Sequence, residues 1–205
     1  LGGRWPTAAT AATPKECCAE SPGIVVKSDA SGCWAHLGVV DYWSGQILNL
    51  QDPGCTLVGT AIHELGHSLG MAHEQSRPDR DRYVSIHLNK VPWGQQHNFK
   101  IESDADTHRP YDILSVMHYF TTAWSIDGSP TITIKPGAYR HYTNDPNEYD
   151  KFEIGNRIGL SQLDAEQLAD HYRSEVSGCT ANKLTTAVTC TDRQKYGRPY
   201  TDMWG

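Results

Sequence analysis

Three histidines and a glutamate, His63, Glu64, His67 and His73, are the residues of this chain whose types and spacing can do chemistry. His63 and His67 stand at i and i+4, one turn apart on a helix face, as two ligands of one tetrahedral ion must be. Glu64 lies about 100° round such a helix from His63, so it reaches a water on the metal without ligating the metal, as a general base must. Gly70 follows His67 by three residues, and His73 follows Gly70 by three. A glycine can take the positive φ that ends a helix abruptly and turns the chain back, so that a third imidazole closes the site. A bare His-Glu-x-x-His arises by chance on exposed helices. The extended pattern from His63 through Gly70 to His73 is far more specific and reads as a zinc site. The other histidines, His36, His87, His97, His108, His118, His141 and His171, share no spacing and read as surface or hydrogen-bonding residues.

The first histidine pair needs a helix, and residues 56–69 supply one. Val58, Ala61, Ile62, Leu65 and Leu69 fall on one face, the histidines lie off it, and Gly70 stops it. Before the helix, residues 24–27, 33–40 and 46–50 are short β-rich runs separated by Ser-Asp-Ala-Ser-Gly and Tyr-Trp-Ser-Gly, which predicts a meander of strands. Residues 74–158 are polar and irregular, with Pro78, Pro92, Pro110, Pro130, Pro136 and Pro146 scattered through them, and predict loops around a cleft. Within them the alternating charges Arg77, Asp79, Arg80, Asp81 and Arg82 predict a solvated ion-pair network. A last helix begins at Ser161, where Ser161-x-x-Asp164 resembles a capping box and Leu163, Leu168, Ala169 and Tyr172 recur at helical spacing.

Composition bounds the remaining choices. The 205 residues carry 18 Lys plus Arg against 24 Asp plus Glu, a net charge of −6 with no long basic run, which argues against a nucleic-acid or anionic-membrane partner. No apolar stretch approaches the ~18 residues of a membrane span. With 18 Gly, 11 Pro and 10 Tyr but three Phe and three Met, the chain reads as loop-rich, with a core of Leu, Ile, Val, Trp and Tyr. Cys17, Cys18, Cys33, Cys55, Cys179 and Cys190 are many for a reduced cytosolic enzyme, and they lack the Cys-x-x-Cys repeats of thiolate zinc sites. Disulfides in an oxidising compartment are the expectation. The opening Leu-Gly-Gly-Arg-Trp-Pro lacks the basic and apolar regions of a signal peptide, as in a mature form or a fragment.

Together the residues resemble a family. His63-Glu-Leu-Gly-His-Ser-Leu-Gly-Met-Ala-His73 is similar to the metzincin zinc signature, and Glu74 with the following Gln-Ser-Arg-Pro-Asp-Arg-Asp-Arg-Tyr-Val resembles the astacin family in particular. Ser115-Val116-Met117-His118-Tyr119 resembles that family's Met-turn. Ser31-Gly32-Cys33-Trp34 with Cys55 resembles its strand-to-loop disulfide, and Gly155-Asn156-Arg157-x-x-Leu160-Ser161-x-x-Asp164 resembles its entry to the C-terminal helix. The resemblance implies an α+β, zincin-like fold: a twisted sheet and the active-site helix above, a loop-rich half with the C-terminal helix below, disulfide-linked, and the cleft between them. It implies a secreted zinc endopeptidase with one Zn2+ per chain held by His63, His67, His73 and the phenol of Tyr119. Glu64 is then the general base, Tyr119 also a donor to the oxyanion, and Met117 a hydrophobic floor under the histidines. A disulfide from Cys17 or Cys18 to Cys179 is implied too. An extended peptide substrate would add to the edge of the strand near residues 33–40. Arg157 has two open readings, a contact to an acidic substrate side chain after the scissile bond or a structural ion pair.

The likeness covers residues 17–179. Trp5-Pro6 resembles the family's first strand, yet residues 7–16 are too few for the strand, helix and strand that follow there, since a parallel crossover alone takes roughly a dozen residues. Residues 1–16 therefore read as a shortened N-terminal segment, which leaves doubtful the ion pair that the family's counterpart of Glu74 makes with a new N-terminal ammonium. Residues 180–205, with Cys190, resemble the start of a small cysteine-rich, ShK-like module, with further extracellular modules possible after Gly205. The partners implied are protein or peptide substrates. Two rivals stand beside the endopeptidase: a non-catalytic zinc-binding or peptide-binding relative, and a disulfide-rich adhesion module with incidental histidines.

Overall fold

Residues 24–38, 46–176 and 199–201 are described by a computed structural model of the chain. The expectations placed on residues 1–16, Cys17, Cys18, Cys179 and Cys190 lie outside them. The described residues form an α+β structure with one four-stranded sheet, one two-stranded sheet and two α-helices. The strands are β1 (Ile24–Lys27), β2 (Cys33–His36) and β3 (Gln46–Leu50), followed by α1 (Val58–Ser68). Next come β4 (Val84–Ile86), β5 (Ile132–Ile134), α2 (Gln162–Val176) and β6 (Pro199–Thr201). None of the described helices is long and apolar enough to cross a membrane.

The first three strands are not the meander that their spacing predicts. β3 lies between its neighbours, parallel to β1 and antiparallel to β2, so the order is β1-β3-β2-β6. The chain from β1 to β2 therefore passes across β3, and side-chain amides secure that crossing. The fully buried Asn49 donates through Nδ2 to Ala30 O at 2.9 Å and Gly32 O at 2.6 Å, while Gln51 Oε1 accepts from Gly32 N at 2.7 Å. A buried amide that satisfies loop carbonyls removes the penalty of leaving them dry. The outer edge of β2, expected to be open for a peptide, pairs instead with β6 in antiparallel register, Ala35 opposite Tyr200. The Cys33–Cys55 disulfide forms, with an S–S distance of 2.06 Å, and ties the start of β2 to the turn before α1.

The core sits largely where the sequence reads as loops. Val84, Val91, Phe99, Tyr111, Ile113, Tyr119, Ala123, Ile132, Ala138, Tyr139 and Ile154 form one buried cluster, all between β4 and α2. Its backbone is mostly irregular, with short 3-10 segments and the β4–β5 pair. Tyr111 and Tyr119 are the largest fully buried side chains among the described residues, whereas Trp93 is 89% exposed. A smaller cluster of Met71, Val116 and Met117 packs with Ile62 of α1 and Leu168 of α2, at the seam between the sheet half and this lower half.

Candidate metal centre

α1 ends by the geometry its sequence calls for. Gly70 has a φ of +90°, its N–H donates to His67 O at 2.8 Å, and Met71 N donates to Gly66 O at 2.9 Å. This is the paired 5→2 and 6→1 closure of a Schellman motif, in which a side chain at the glycine would be strained. The predicted apolar face of α1 is not the face it buries. Val58 is 73% and Leu65 41% exposed, while His63, Glu64 and His67 are completely buried. The helix is oriented by what its polar face has to do.

His63, His67 and His73 converge, each offering one ring nitrogen within 4.8 Å of the others. His63 Nε2 and His73 Nε2 lie 3.3 Å apart, and two nitrogens bound tetrahedrally at ~2.0–2.1 Å from one zinc ion lie at about that separation. The far sides of two rings fix their tautomers. His63 Nδ1 lies 2.7 Å from Val116 O and His67 Nδ1 lies 2.8 Å from Met71 O. A carbonyl only accepts, so both Nδ1 atoms carry the proton and both Nε2 lone pairs face the common point. The donor set fits a zinc ion.

The other residues implied by the resemblance gather round this point. Glu64 is buried beside His63, Met117 packs beneath α1 in the smaller cluster, and the Tyr119 ring lies 4.4 Å from the ring of His73. Gln75 Oε1 accepts from Tyr119 N at 2.9 Å and so holds the Met-turn against the segment after His73. His118 is buried, not superficial. Burial holds its pKa down to about 4, and the neutral ring donates Nδ1–H to Tyr119 O while Nε2 accepts from Tyr111 Oη at 2.8 Å. Burial in turn pushes the Tyr111 phenol well above its ordinary value.

Of the charges after His73, Asp81 and Arg82 are exposed as expected, but the two arginines before them are not. Arg77 and Arg80 are 4% and 8% exposed. Arg77 pairs with Glu74 Oε1 and Asp79 Oδ1, each at 3.0 Å, and Arg80 Nη1 donates to Gln75 O and Phe99 O. Their chain here makes single 3-10 turns, whose carbonyls need donors that a longer helix would supply itself. Glu74 Oε1 also accepts from Asp112 N at 2.7 Å, while burial carries the Glu74 pKa up to about 8 against the opposing pull of Arg77.

The capping box at α2 exists and does more than cap. Ser161 Oγ accepts from Asp164 N and Asp164 Oδ2 from Ser161 N, both at 2.9 Å. The same Asp164 carboxylate takes Ser115 Oγ at 2.6 Å and Val116 N at 2.9 Å, reaching into the Met-turn. Burial raises its pKa against these bonds. The Ser161-x-x-Asp164 spacing signals the cap; nothing local signals the second use. Arg157 turns its Nη1 to the carbonyls of Val116, His118 and Asn156.

Known proteins extend these observations. The model of the Astacin peptidase family matches residues 9–173. Protein SpAN of Strongylocentrotus purpuratus is 38% identical over 139 residues, 66% of this chain and 20% of that protein. The Astacin-like metalloendopeptidase of Gallus gallus is 34% identical over 181 residues, 87% of this chain and 40% of that protein. This chain thus spans between a fifth and two fifths of the length of these relatives. Among solved structures, High choriolytic enzyme 1, a hatching enzyme zinc-protease from Oryzias latipes (Medaka fish), superposes with a TM-score of 0.61 at 35% identity, covering 73% of this chain and 68% of that one.

Proposed function

The chain belongs to the astacin family, and from that premise we propose that it is a secreted zinc-dependent endopeptidase that hydrolyses internal peptide bonds of proteins. The observation that carries this reading is the convergence of His63, His67 and His73, with two rings locked to present Nε2, beside the buried Glu64. One Zn2+ per chain is the cofactor that this donor set takes. When bound, it supplies Lewis acidity, polarising the scissile carbonyl and lowering the pKa of water. The chain's residues do the rest. As water attacks the carbonyl carbon, the Glu64 carboxylate accepts its proton, and it returns that proton to the amine nitrogen as the C–N bond breaks. The Tyr119 phenol, beside His73, is read as an added ligand at rest and as a hydrogen-bond donor to the oxyanion. Met117 supports the histidines from below through packing alone.

Secretion is supported by the Cys33–Cys55 bridge, which belongs to an oxidising compartment. The net charge of −6 supports protein or peptide substrates over nucleic acid. The catalytic domain is read as residues 17–179, with other extracellular modules beyond it; a family match over 9–173 that overlaps this range, and relatives longer than this chain, support the reading. An extended substrate laid along β2 would compete with Pro199–Thr201 for the same main-chain groups.

The deciding experiment measures zinc content and cleavage of an unfolded protein by the native chain and by Glu64→Ala. The native chain should hold one zinc and cleave in a chelator-sensitive way. Glu64→Ala should keep the zinc and lose about 10²–10⁴-fold in rate, the usual share of a general base. Zinc without cleavage in the native chain would favour the non-catalytic relative, and no zinc at all would remove the metal reading.

A further inference from the structure

His63 lies on α1 and the carbonyl that orients it on the Met-turn, and Arg157 touches both elements. On α1, a Cβ built on Gly59 would fall 1.7 Å from Arg157 O, so the main chain of Arg157 lies directly on the helix one turn before His63, where only glycine leaves room. On the Met-turn, Arg157 Nη1 donates to Val116 O at 2.8 Å, to His118 O at 3.2 Å and to its neighbour Asn156 O at 2.8 Å. Val116 O is the same atom that accepts His63 Nδ1 at 2.7 Å. From the opposite side Asp164 Oδ2 fixes Val116 N. The carbonyl that sets the tautomer and the direction of one metal ligand is therefore itself held by a guanidinium.

We propose that Arg157 is a positioning residue for the metal centre, aiming the Val116 carbonyl at His63 Nδ1 and locking α1 to the Met-turn. A carbonyl with one donor can swing about it, but a second, charged donor restricts its direction and with it the ring it orients. The hydrogen bonds of Nη1 run to main-chain carbonyls of the protein. This assignment is distinct from both an acidic substrate partner and a plain structural ion pair as the role of Arg157. It rests on the zinc reading above.

The test compares native chain, Arg157→Met and Arg157→Lys by zinc affinity in chelator competition, by the 15N signals of the His63 imidazole, and by kcat and KM on paired peptides. One peptide of each pair has an acidic residue after the scissile bond and the other a neutral one. Arg157→Met should weaken zinc binding roughly 10-fold, at the lower end for outer partners of metal ligands. It should also move the His63 signals and lower kcat equally on both peptides, with KM unchanged. Arg157→Lys, which keeps the charge but reaches fewer carbonyls, should fall between the two. If Arg157→Met does not fold, Arg157→Lys decides alone. Native zinc affinity and unmoved His63 signals in a folded variant would overturn the proposal, as would a KM rise confined to the acidic peptide. A native chain that binds no zinc overturns the zinc reading instead, so the two failures are distinguishable.

Discussion

The two halves of the molecule reach order by different routes. The sheet half, residues 24–69, has three strands, α1 and a disulfide, yet Ile24, Val25, Val26, Leu57, Val58 and Leu65 remain exposed on it. The lower half, residues 71–160, has one pair of three-residue strands and several 3-10 turns, yet it holds the larger core, in which Tyr111, Phe99, Ile113 and Ile132 are almost inaccessible. Regular hydrogen bonding and burial are separate quantities. Where the backbone does not satisfy its own carbonyls, the buried Arg77 and Arg80 and the half-buried Asn156 do so, which lets the apolar residues between them be buried without dry carbonyls. The metal centre lies at the seam: His63 and His67 come from the regular half, His73, Met117 and Tyr119 from the irregular one.

The contrast can be broken by substitution on either side. Phe99→Ala, in the irregular half, should cost about 3–5 kcal/mol in urea unfolding, as for any full core cavity. A cost under about 1 kcal/mol would mean that this half is only loosely packed. In the sheet half the largest single loss should come from the disulfide. Cys33→Ser with Cys55→Ser opens a loop with a sequence separation of 22, worth about 3 kcal/mol by loop entropy, and a reducing agent should lower the native Tm but not that of the variant. Ser161→Ala removes the cap of α2 and one bond to Asp112, and should cost about 1–2 kcal/mol by thermal unfolding. Val58→Ser sits on the apolar but exposed face of α1 and should change stability by no more than about 0.5 kcal/mol. A larger loss there would show that this face is covered in solution.

Much of the architecture was legible. The first three strands begin within the predicted runs, α1 falls within two residues of its predicted limits, α2 begins one residue after its predicted start, and the Gly70 stop and the capping box follow from spacing alone, whereas β4, β5 and β6 gave no such signal. What failed did so for one kind of reason. The meander was wrong because strand order depends on which strands pair, and the amides of Asn49 and Gln51 that secure the crossing give no periodic signal. The helix face was wrong because a hydrophobic stripe predicts burial only if the site does not need the opposite face. Arg77 and Arg80 departed from the solvated network, while Asp81 and Arg82 kept to it, because alternating signs look the same on a surface and in a buried turn.

The sequence by itself determined the chemistry that can be done. The i, i+4 and glycine-turned spacing of His63, His67 and His73 follows from the 3.6-residue period and the positive φ at Gly70, both properties of neighbouring residues. Tertiary structure alone decided how that chemistry is held. His63 is oriented by a carbonyl 53 residues away and that carbonyl by an arginine 41 residues further on. Such partners are selected by packing among many equivalent carbonyls and cations, and no local pattern distinguishes the one that is used.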